Sequence, residues 1–324
     1  MNLQQLEAVC GIVANGFNIS AAAEALGRSQ PTLSRQIQNL ETELGVRIFA
    51  RTRNKVVGLT PKGEEILHIG QRIVLDARNL TQVANSETAD GAGELKIATS
   101  HLHARYSLPN VMKTFATRFG GVLLTLHQGD PIQCCDLVAA GNADIGITTV
   151  GKKTADEIVA IPAYKLSRCV VAPRDHPITR EKTVTLKKLA TYPIIAYSTP
   201  FSGRWIVDDA FAQAGLRPCI VCNAIDADVS KTYVDVGMGI AVLARIAFNP
   251  ARDRGLVAIN ADHLFQPSIV NLVLRKHGYL SRHANEFVSL FAPHVNTDLI
   301  RRAMNGAVLD RAHLIREAPV AAFV

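Results

Sequence analysis

Ser29-Gln30-Pro31-Thr32-Leu33-Ser34-Arg35-Gln36-Ile37-Gln38-Asn39-Leu40-Glu41-Thr42-Glu43-Leu44 reads as one capped helix with two unlike faces. Ser29 can cap it, and Gln30 and Pro31 fall in its first turn, where proline is favoured. Leu33, Ile37, Leu40 and Leu44 are spaced 4, 3 and 4 apart, which predicts a single buried stripe. The remaining surface carries Pro31, Thr32, Ser34, Arg35, Gln38 and Asn39 and meets no acidic residue before Glu41. Such side chains suit base edges: Gln and Asn match adenine, Arg matches guanine, and Ser or Thr reaches bases or phosphates. A helix of this kind fits a DNA major groove.

The flanking residues supply the rest of such a unit. Leu3, Leu6, Val9, Cys10 and Val13 recur at helical spacing, and Gly16 ends that helix. Ser20 can cap a second, short helix whose Ala21, Ala22 and Ala25 allow close helix approach, and Gly27 stops it. After Gly45 the apolar Val46, Ile48 and Phe49 lead into Arg51-Thr52-Arg53-Asn54-Lys55, followed by Val56 and Val57. This predicts a two-stranded wing whose basic tip reaches a minor groove or flanking phosphates. A three-helix bundle with a solvated polar face is the plain alternative. It leaves unexplained why cap, turn, polar face and basic hairpin follow in that order.

Ala21 to Leu26, Ser29-Gln30-Pro31, Leu33-Ser34-Arg35-Gln36-Ile37, Leu40-Glu41, Glu43-Leu44-Gly45, Phe49-Ala50-Arg51 and Thr60-Pro61-Lys62-Gly63 together resemble the DNA-binding domain of the LysR-type regulators. The resemblance implies that Gln30, Pro31, Ser34 and Arg35 approach base edges or phosphates and that the wing follows the minor groove. With Thr32 and Gln38 from the helix face, and Arg51, Arg53 and Lys55 from the wing, these make the candidate DNA-binding set.

Thr60 and Pro61 open a further helix of about 25 residues. Ile66, Ile69, Ile73, Ala77, Leu80 and Ala84 recur along it at spacings of 3, 4, 4, 3 and 4. The seam pairs either with a second copy of the chain, through Ile66, Ile69, Ile73 and Leu80, or with its own domain. The family resemblance favours pairing, since LysR-type proteins dimerise through this helix. The polar, glycine-bearing Ser86 to Gly93 reads as a hinge. The expected domains are 1–59, a winged helix-turn-helix; 60–89, a dimerisation helix; and 90–324, a ligand-sensing domain.

From Glu94 strands and helices alternate in two sets, predicting parallel sheets covered by helices and two αβ subdomains around a cleft, as in periplasmic binding proteins. Ligands of such folds sit at the carboxyl ends of strands. That rule picks out Thr99-Ser100-His101-Leu102-His103, Thr148-Thr149 and Ser198-Thr199-Pro200-Phe201-Ser202-Gly203, whose hydroxyls either bind a ligand or merely cap helices. Ala104-Arg105-Tyr106, Leu108-Pro109-Asn110-Val111, His127-Gln128-Gly129, Gly141-Asn142-Ala143-Asp144, Asp226-Ala227-Asp228-Val229 and Lys231-Thr232-Tyr233-Val234 resemble the sulfur-assimilation, CysB/Cbl branch of the family. The branch implies a pocket for sulfate, O-acetylserine, N-acetylserine or an organosulfur compound, with Ser100, Thr149 and Ser202 at its hydroxyl ligands. Leu102 and His103 depart from the Thr and Gln usual there. Leu102 removes a hydroxyl, and His103 brings a group that ordinarily charges near pH 6.5, which together suit a larger organic ligand better than bare sulfate.

Composition bounds the rest. The chain has 324 residues, 48% hydrophobic and 19% charged, an ordinary globular balance. Residues 1–90 hold nine Lys/Arg and nine Asp/Glu, so the net charge of +7 lies elsewhere and the wing's local cluster is the nucleic-acid signal. With no signal peptide and no membrane-length apolar run, a cytoplasmic protein is expected. The six cysteines, including Cys134, Cys135, Cys219 and Cys222, read as buried thiols, with no metal site among them. No phosphate loop, nucleophile elbow or His-Glu-x-x-His spacing favours an enzyme, and a solute-binding module of the same fold would lack the helix-turn-helix. The expected partners are double-stranded operator DNA, a small-molecule effector rather than a cofactor, further copies of the chain as a dimer of dimers (a homotetramer), and RNA polymerase. A role as activator and no membrane partner complete the expectation.

Overall fold

The computed structural model describes residues 1–53, 55–85, 93–150, 155–198 and 202–318, with the side chains of all of these except 78, 82–85 and 202. The chain divides into two units, Met1–Ala89 and Asp90–Val324. The expected hinge before Gly93, the wing-tip Asn54, the loop Thr199-Pro200-Phe201 and the Ala84 end of the seam fall outside the described positions or side chains.

The first unit contains α1 (Leu3–Ala14), α2 (Ile19–Ala25), α3 (Gln30–Leu44), β1 (Phe49–Thr52), β2 (Lys55–Leu59) and α4 (Pro61–Asn85). Asn2 and Gln5 close a reciprocal capping box on α1. Asn18, not Ser20, caps α2, because the helix begins at Ile19 and the Asn18 side chain already accepts from the N–H groups of Ser20 and Ala21 at 3.0 and 3.1 Å. Ala22 and Ala23 are buried and let α2 pack close to its neighbours. Leu6, Val9, Ile12, Leu33, Ile37, Leu40, Ile48 and Phe49 fill one core. Leu44 leaves the predicted stripe and is exposed, since α3 ends beside it at the left-handed Gly45.

α4 belongs partly to that same core. Val74 is buried in it, with Ile66 and Leu67 packed alongside. The Thr60 hydroxyl accepts from the Gly63 N–H at 2.9 Å and donates to the Arg47 carbonyl at 2.6 Å, fixing where the helix starts. A Cβ on Gly63 would collide with the Ile48 carbonyl oxygen, so only glycine lets α4 pass this close. Of the four seam residues, Ile66 therefore has a partner in its own domain. Ile69, Ile73 and Leu80 stand 53%, 38% and 73% exposed.

The second unit begins β3 (Gly93–Thr99), α5 (His101–Tyr106), α6 (Pro109–Arg118), β4 (Val122–Gln128), α7 (Pro131–Ala139), β5 (Ile145–Thr149) and β6 (Ile158–Leu166). It continues through β7 (Arg168–Pro173), α8 (Leu186–Leu189), β8 (Pro193–Tyr197), α9 (Ser202–Gln213), β9 (Cys219–Ala224), α10 (Ala227–Asp235), β10 (Ile240–Ala244) and β11 (Leu256–Asn260). β12 (Ser268–Arg275), α11 (Arg282–Phe291), α12 (Thr297–Met304), α13 (Arg311–Leu314) and β13 (Arg316–Glu317) complete it. The strands form a six-stranded sheet, β13-β6-β12-β5-β3-β4, and a five-stranded sheet, β11-β7-β10-β8-β9.

Both sheets are mixed, not parallel. β3 runs parallel to β4 and β5, and β8 runs parallel to β9 and β10, as the alternation predicts. β12 is antiparallel to β5 and β6, however, and β7 is antiparallel to β10 and β11. The antiparallel members exist because the chain changes sheet twice. It passes from β6 to β7 through Ser167 alone, and it returns between β11 and β12. The segment after Pro293 folds back on the six-stranded sheet: Ile300, Ala303 and Met304 enter its core, and β13 pairs with β6. On the edge strand β9 Cys219 is exposed and Cys222 half-buried, against the expectation of buried thiols, because an edge strand is covered on fewer sides. No single helix among the described residues is long and apolar enough to cross a membrane.

Candidate functional site

Two surfaces carry the chemistry, one in each unit. On α3 the side chains of Gln30, Pro31, Thr32, Arg35 and Gln38 are exposed and Ser34 is half-buried, opposite the buried Leu33, Ile37 and Leu40. The Thr32 hydroxyl lies 2.7 Å from that of Ser29, which caps the helix. In the wing Arg53 and Lys55 are exposed, with Arg53 left-handed at the turn. Arg51 differs from them. Its guanidinium pairs with Glu41 at 2.9 Å, and the same carboxylate accepts from the N–H groups of Ile48 and Phe49. Arg51 thus braces the wing against α3.

In the second unit a cleft opens where the carboxyl ends of β3, β5, β8 and β9 meet the two chain crossings. Its lining includes Ser100, Leu102, His103, Thr149, Leu166, Arg168, Tyr197, Gly203, Asp226 and Ser268. Ser100, Leu102, His103 and Thr149 are thus brought together as the sequence predicts. Ser202 begins α9 beside the lining Gly203, and its side chain is outside those described. Ser100 occupies the N-cap position of α5, yet its hydroxyl makes no capping hydrogen bond, and the residue is buried against the cleft.

His103 departs from its expected behaviour. It is 1% exposed, its Nδ1 lies 3.1 Å from the Ser107 hydroxyl, and burial lowers its pKa to about 4. The imidazole therefore faces the cleft uncharged near neutral pH, because losing hydration penalises the cation.

Arg168, Tyr197 and Ser268 are lining residues that sequence reasoning did not single out. Arg168 is 3% exposed and donates from Nη2 to the Ser268 hydroxyl, while its backbone N–H donates to Asp262 at 2.7 Å. Burial works against its charge, lowering its pKa from the ordinary arginine value. The one local signal was an arginine heading the otherwise apolar run Cys169-Val170-Val171-Ala172.

Beside the cleft, ligand atoms of His101, Asp226 and Asp228 lie within 4.8 Å of one another, close enough to hold a cation. Their existing bonds favour a different use. Asp228 accepts from Tyr106 at 2.6 Å, Arg105 at 2.7 Å and His101 at 3.1 Å, and Asp226 caps α10. Burial pushes the Asp228 carboxyl up, but hydrogen bonds from Tyr106 and His101 and the charges of Lys231 and Arg105 hold it below its ordinary value. Lys231, buried, donates to Tyr106, Asp253 and the Ala247 carbonyl. This network ties α5, after the six-stranded sheet's β3, to α10, after the five-stranded sheet's β9.

A helix-turn-helix with an outward hydrogen-bonding face, carried on one chain with a two-subdomain α/β domain and its cleft, defines a ligand-responsive DNA-binding regulator. Residues 3–64 match the bacterial regulatory helix-turn-helix of the LysR family, and residues 88–296 match the LysR substrate binding domain. The chain belongs to the LysR family of transcriptional regulators. It is 42% identical over 308 residues to the HTH-type transcriptional regulator SsuR of Burkholderia cenocepacia, covering 95% of this chain and 100% of that protein. It is 42% identical over 306 residues to the regulator CysB of the same organism, covering 94% and 98%. The crystal structure of the cofactor-binding domain of the Cbl transcriptional regulator superposes with a TM-score of 0.64 at 36% identity, covering 68% of this chain and 96% of that one. The CysB/Cbl resemblance read from the sequence agrees with these relatives, which are named as regulators rather than enzymes.

Proposed function

We propose that this LysR-type regulator acts in the cytoplasm on sulfur-assimilation genes, binding its operator through 1–59, pairing through 60–89 and sensing a small anionic metabolite related to sulfur assimilation through 90–324. The observation that carries the sensing role is the hydroxyl of the buried Ser100, which serves no helix cap, on a residue that lines the cleft with Thr149. Ser100, Thr149 and Ser202 supply hydroxyls to the effector, and Leu102 and His103 supply an apolar wall and a neutral ring. Sulfate, O-acetylserine, N-acetylserine and organosulfur acids are the candidate effectors. Calorimetric titration of the full chain with these compounds tests the reading, with Ser100→Ala and Thr149→Ala expected to weaken binding by about 0.5–1.5 kcal/mol each. No change in either variant would move the effector site elsewhere.

On the DNA side, Gln30, Pro31, Thr32, Ser34, Arg35 and Gln38 read or position the major groove. Arg35→Ala should lower affinity for the specific operator by about 1–3 kcal/mol, with relaxed preference at one base position, in a gel-shift titration. Arg53→Ala should weaken binding to all sequences and flatten its dependence on salt, as loss of a phosphate contact does. Arg51→Ala should leave the salt slope near that of the parent, because Glu41 already holds that guanidinium. An equal loss of slope in the Arg51 and Arg53 variants would return Arg51 to the phosphate-contacting set. RNA polymerase and a dimer-of-dimers assembly belong to the same proposal.

A further inference from the structure

The guanidinium of Arg168 is buried and makes no ion pair among the described residues. Its Nη2 donates to the Ser268 hydroxyl, but its Nε, shielded from water, has no hydrogen-bond partner among the described residues. A buried cation without a countercharge is strongly unfavourable, and natural proteins keep one chiefly where something pairs with it. Arginine presents its donors as a rigid planar fork that matches the two oxygens of an acid group.

The surroundings say what that something is. Arg168 lines the cleft near the first turn of α9, a helix of 12 residues. A Cβ at Gly203 would lie 3.2 Å from the Arg168 Nη1 and 2.5 Å from the Tyr197 ring, so only glycine lets the first turn of α9 pack this close to the guanidinium. Both groups favour negative charge at one place. Leu102, Leu166, Ile225 and Ala244 supply apolar surface to the same cleft. Asp226 is the one carboxylate among the described lining residues, and it disfavours a second negative charge on the ligand.

We propose that Arg168 is the charge anchor of the effector cleft, pairing bidentately with the single acid group, carboxylate or sulfonate, of an organic monoanion whose body rests on the apolar wall. This rests on the reading of the cleft as the effector site. Arg168 follows Ser167, the first crossing between the sheets, and Ser268 opens β12 just after the second. A ligand held by Arg168 therefore sits against both crossings between the sheets.

The test titrates the full chain calorimetrically with matched probes: N-acetyl-L-serine against its amide, ethanesulfonate against ethanesulfonamide, and inorganic sulfate. At least one monoanion should bind more tightly than both its neutral isostere and sulfate, and the preferred pair tells carboxylate from sulfonate. Arg168→Met should weaken that monoanion about tenfold to a hundredfold, the range for hydrogen bonds to a charged group, and leave its neutral isostere unchanged. Arg168→Lys, which keeps the charge but loses the fork, should fall between. Undiminished monoanion binding by both variants overturns the anchor while leaving the anionic effector standing. A parent protein that binds the neutral probes as well as the anions fails the anionic reading itself. Melting of the ligand-free proteins decides independently of any probe: Arg168→Met, freed of an uncompensated buried charge, should melt above the parent. A lower-melting or unfolded Arg168→Met, accompanied by an equally destabilised Arg168→Lys, makes the guanidinium a purely structural group and overturns the proposal.

Discussion

A variant carrying both Ile69→Glu and Ile73→Glu should scatter light as a smaller species than the parent and lose binding to an operator with two half-sites. The reason lies in how α4 divides its surface. Val74, Ile66 and Leu67 face the domain's own core, so that side of the helix is already satisfied. Ile69, Ile73 and Leu80 recur at intervals of 4 and 7 on the exposed side, an apolar stripe with the spacing of a coiled-coil seam. If a second copy covers the stripe, each dimer of the double variant would bury four carboxylates with no cation to meet them. An unpaired buried charge is unfavourable by several kcal/mol, enough to move the association constant by orders of magnitude. Because neither position enters the domain core, the helix-turn-helix should keep its fold and its weak, single-site affinity for DNA. Retention of the parent mass by the double variant would mean that the stripe is not the interface.

How much of this was legible in the sequence depends on how local each cause is. The Leu33, Ile37 and Leu40 stripe, the Ser29 cap and the polar face of α3 are all set within one helix, and they read correctly from spacing. Ser20 and Leu44 failed at helix ends, where a shift of one residue or an early stop changes which side chain does the work. β6, β11 and β12 bear no helical alternation beside them. Their pairing is with strands far away in sequence, as in Asn271 opposite Thr148 and Pro162, so nothing local marks them as the route between sheets. The burial of Arg168 beside Ser268 was hidden for the same reason, since Ser268 lies 100 residues on. The Arg51–Glu41 pair was not legible either, because the pairing follows from how the wing folds back on α3. Burial is the other quantity that spacing alone does not deliver. Ser100 and Thr149 were found by their position at strand ends, but the charge state of His103 follows from the packing around it.

That charge state has a measurable consequence for stability. His103 is buried and its pKa is lowered to about 4, whereas an unfolded histidine titrates near 6.5. Above the unfolded value both states are neutral and the group contributes no pH dependence. Between the two values the unfolded chain takes up a proton that the folded one refuses, so stability falls as pH falls. The loss reaches about 3 kcal/mol by the lower pKa and levels off beneath it, since each tenfold change in proton affinity is worth about 1.4 kcal/mol. His103→Gln removes the titrating group, so the variant should gain on the parent by about 2–3 kcal/mol between pH 7 and pH 4.5. Urea unfolding followed by the fluorescence of Trp205, the single tryptophan of the chain, reports on the unit that holds His103. His176 and His294, whose pKa values burial also lowers, contribute to the pH curve of parent and variant alike and cancel in the difference. Parallel stability curves for the two proteins would show that His103 reaches water or a proton partner in solution. The same neutral ring alters what is expected of effector binding. With no charge gained near pH 6.5, His103 should leave the affinity for an anion flat between about pH 6 and 8, and attraction for the anion must come from groups charged throughout that range.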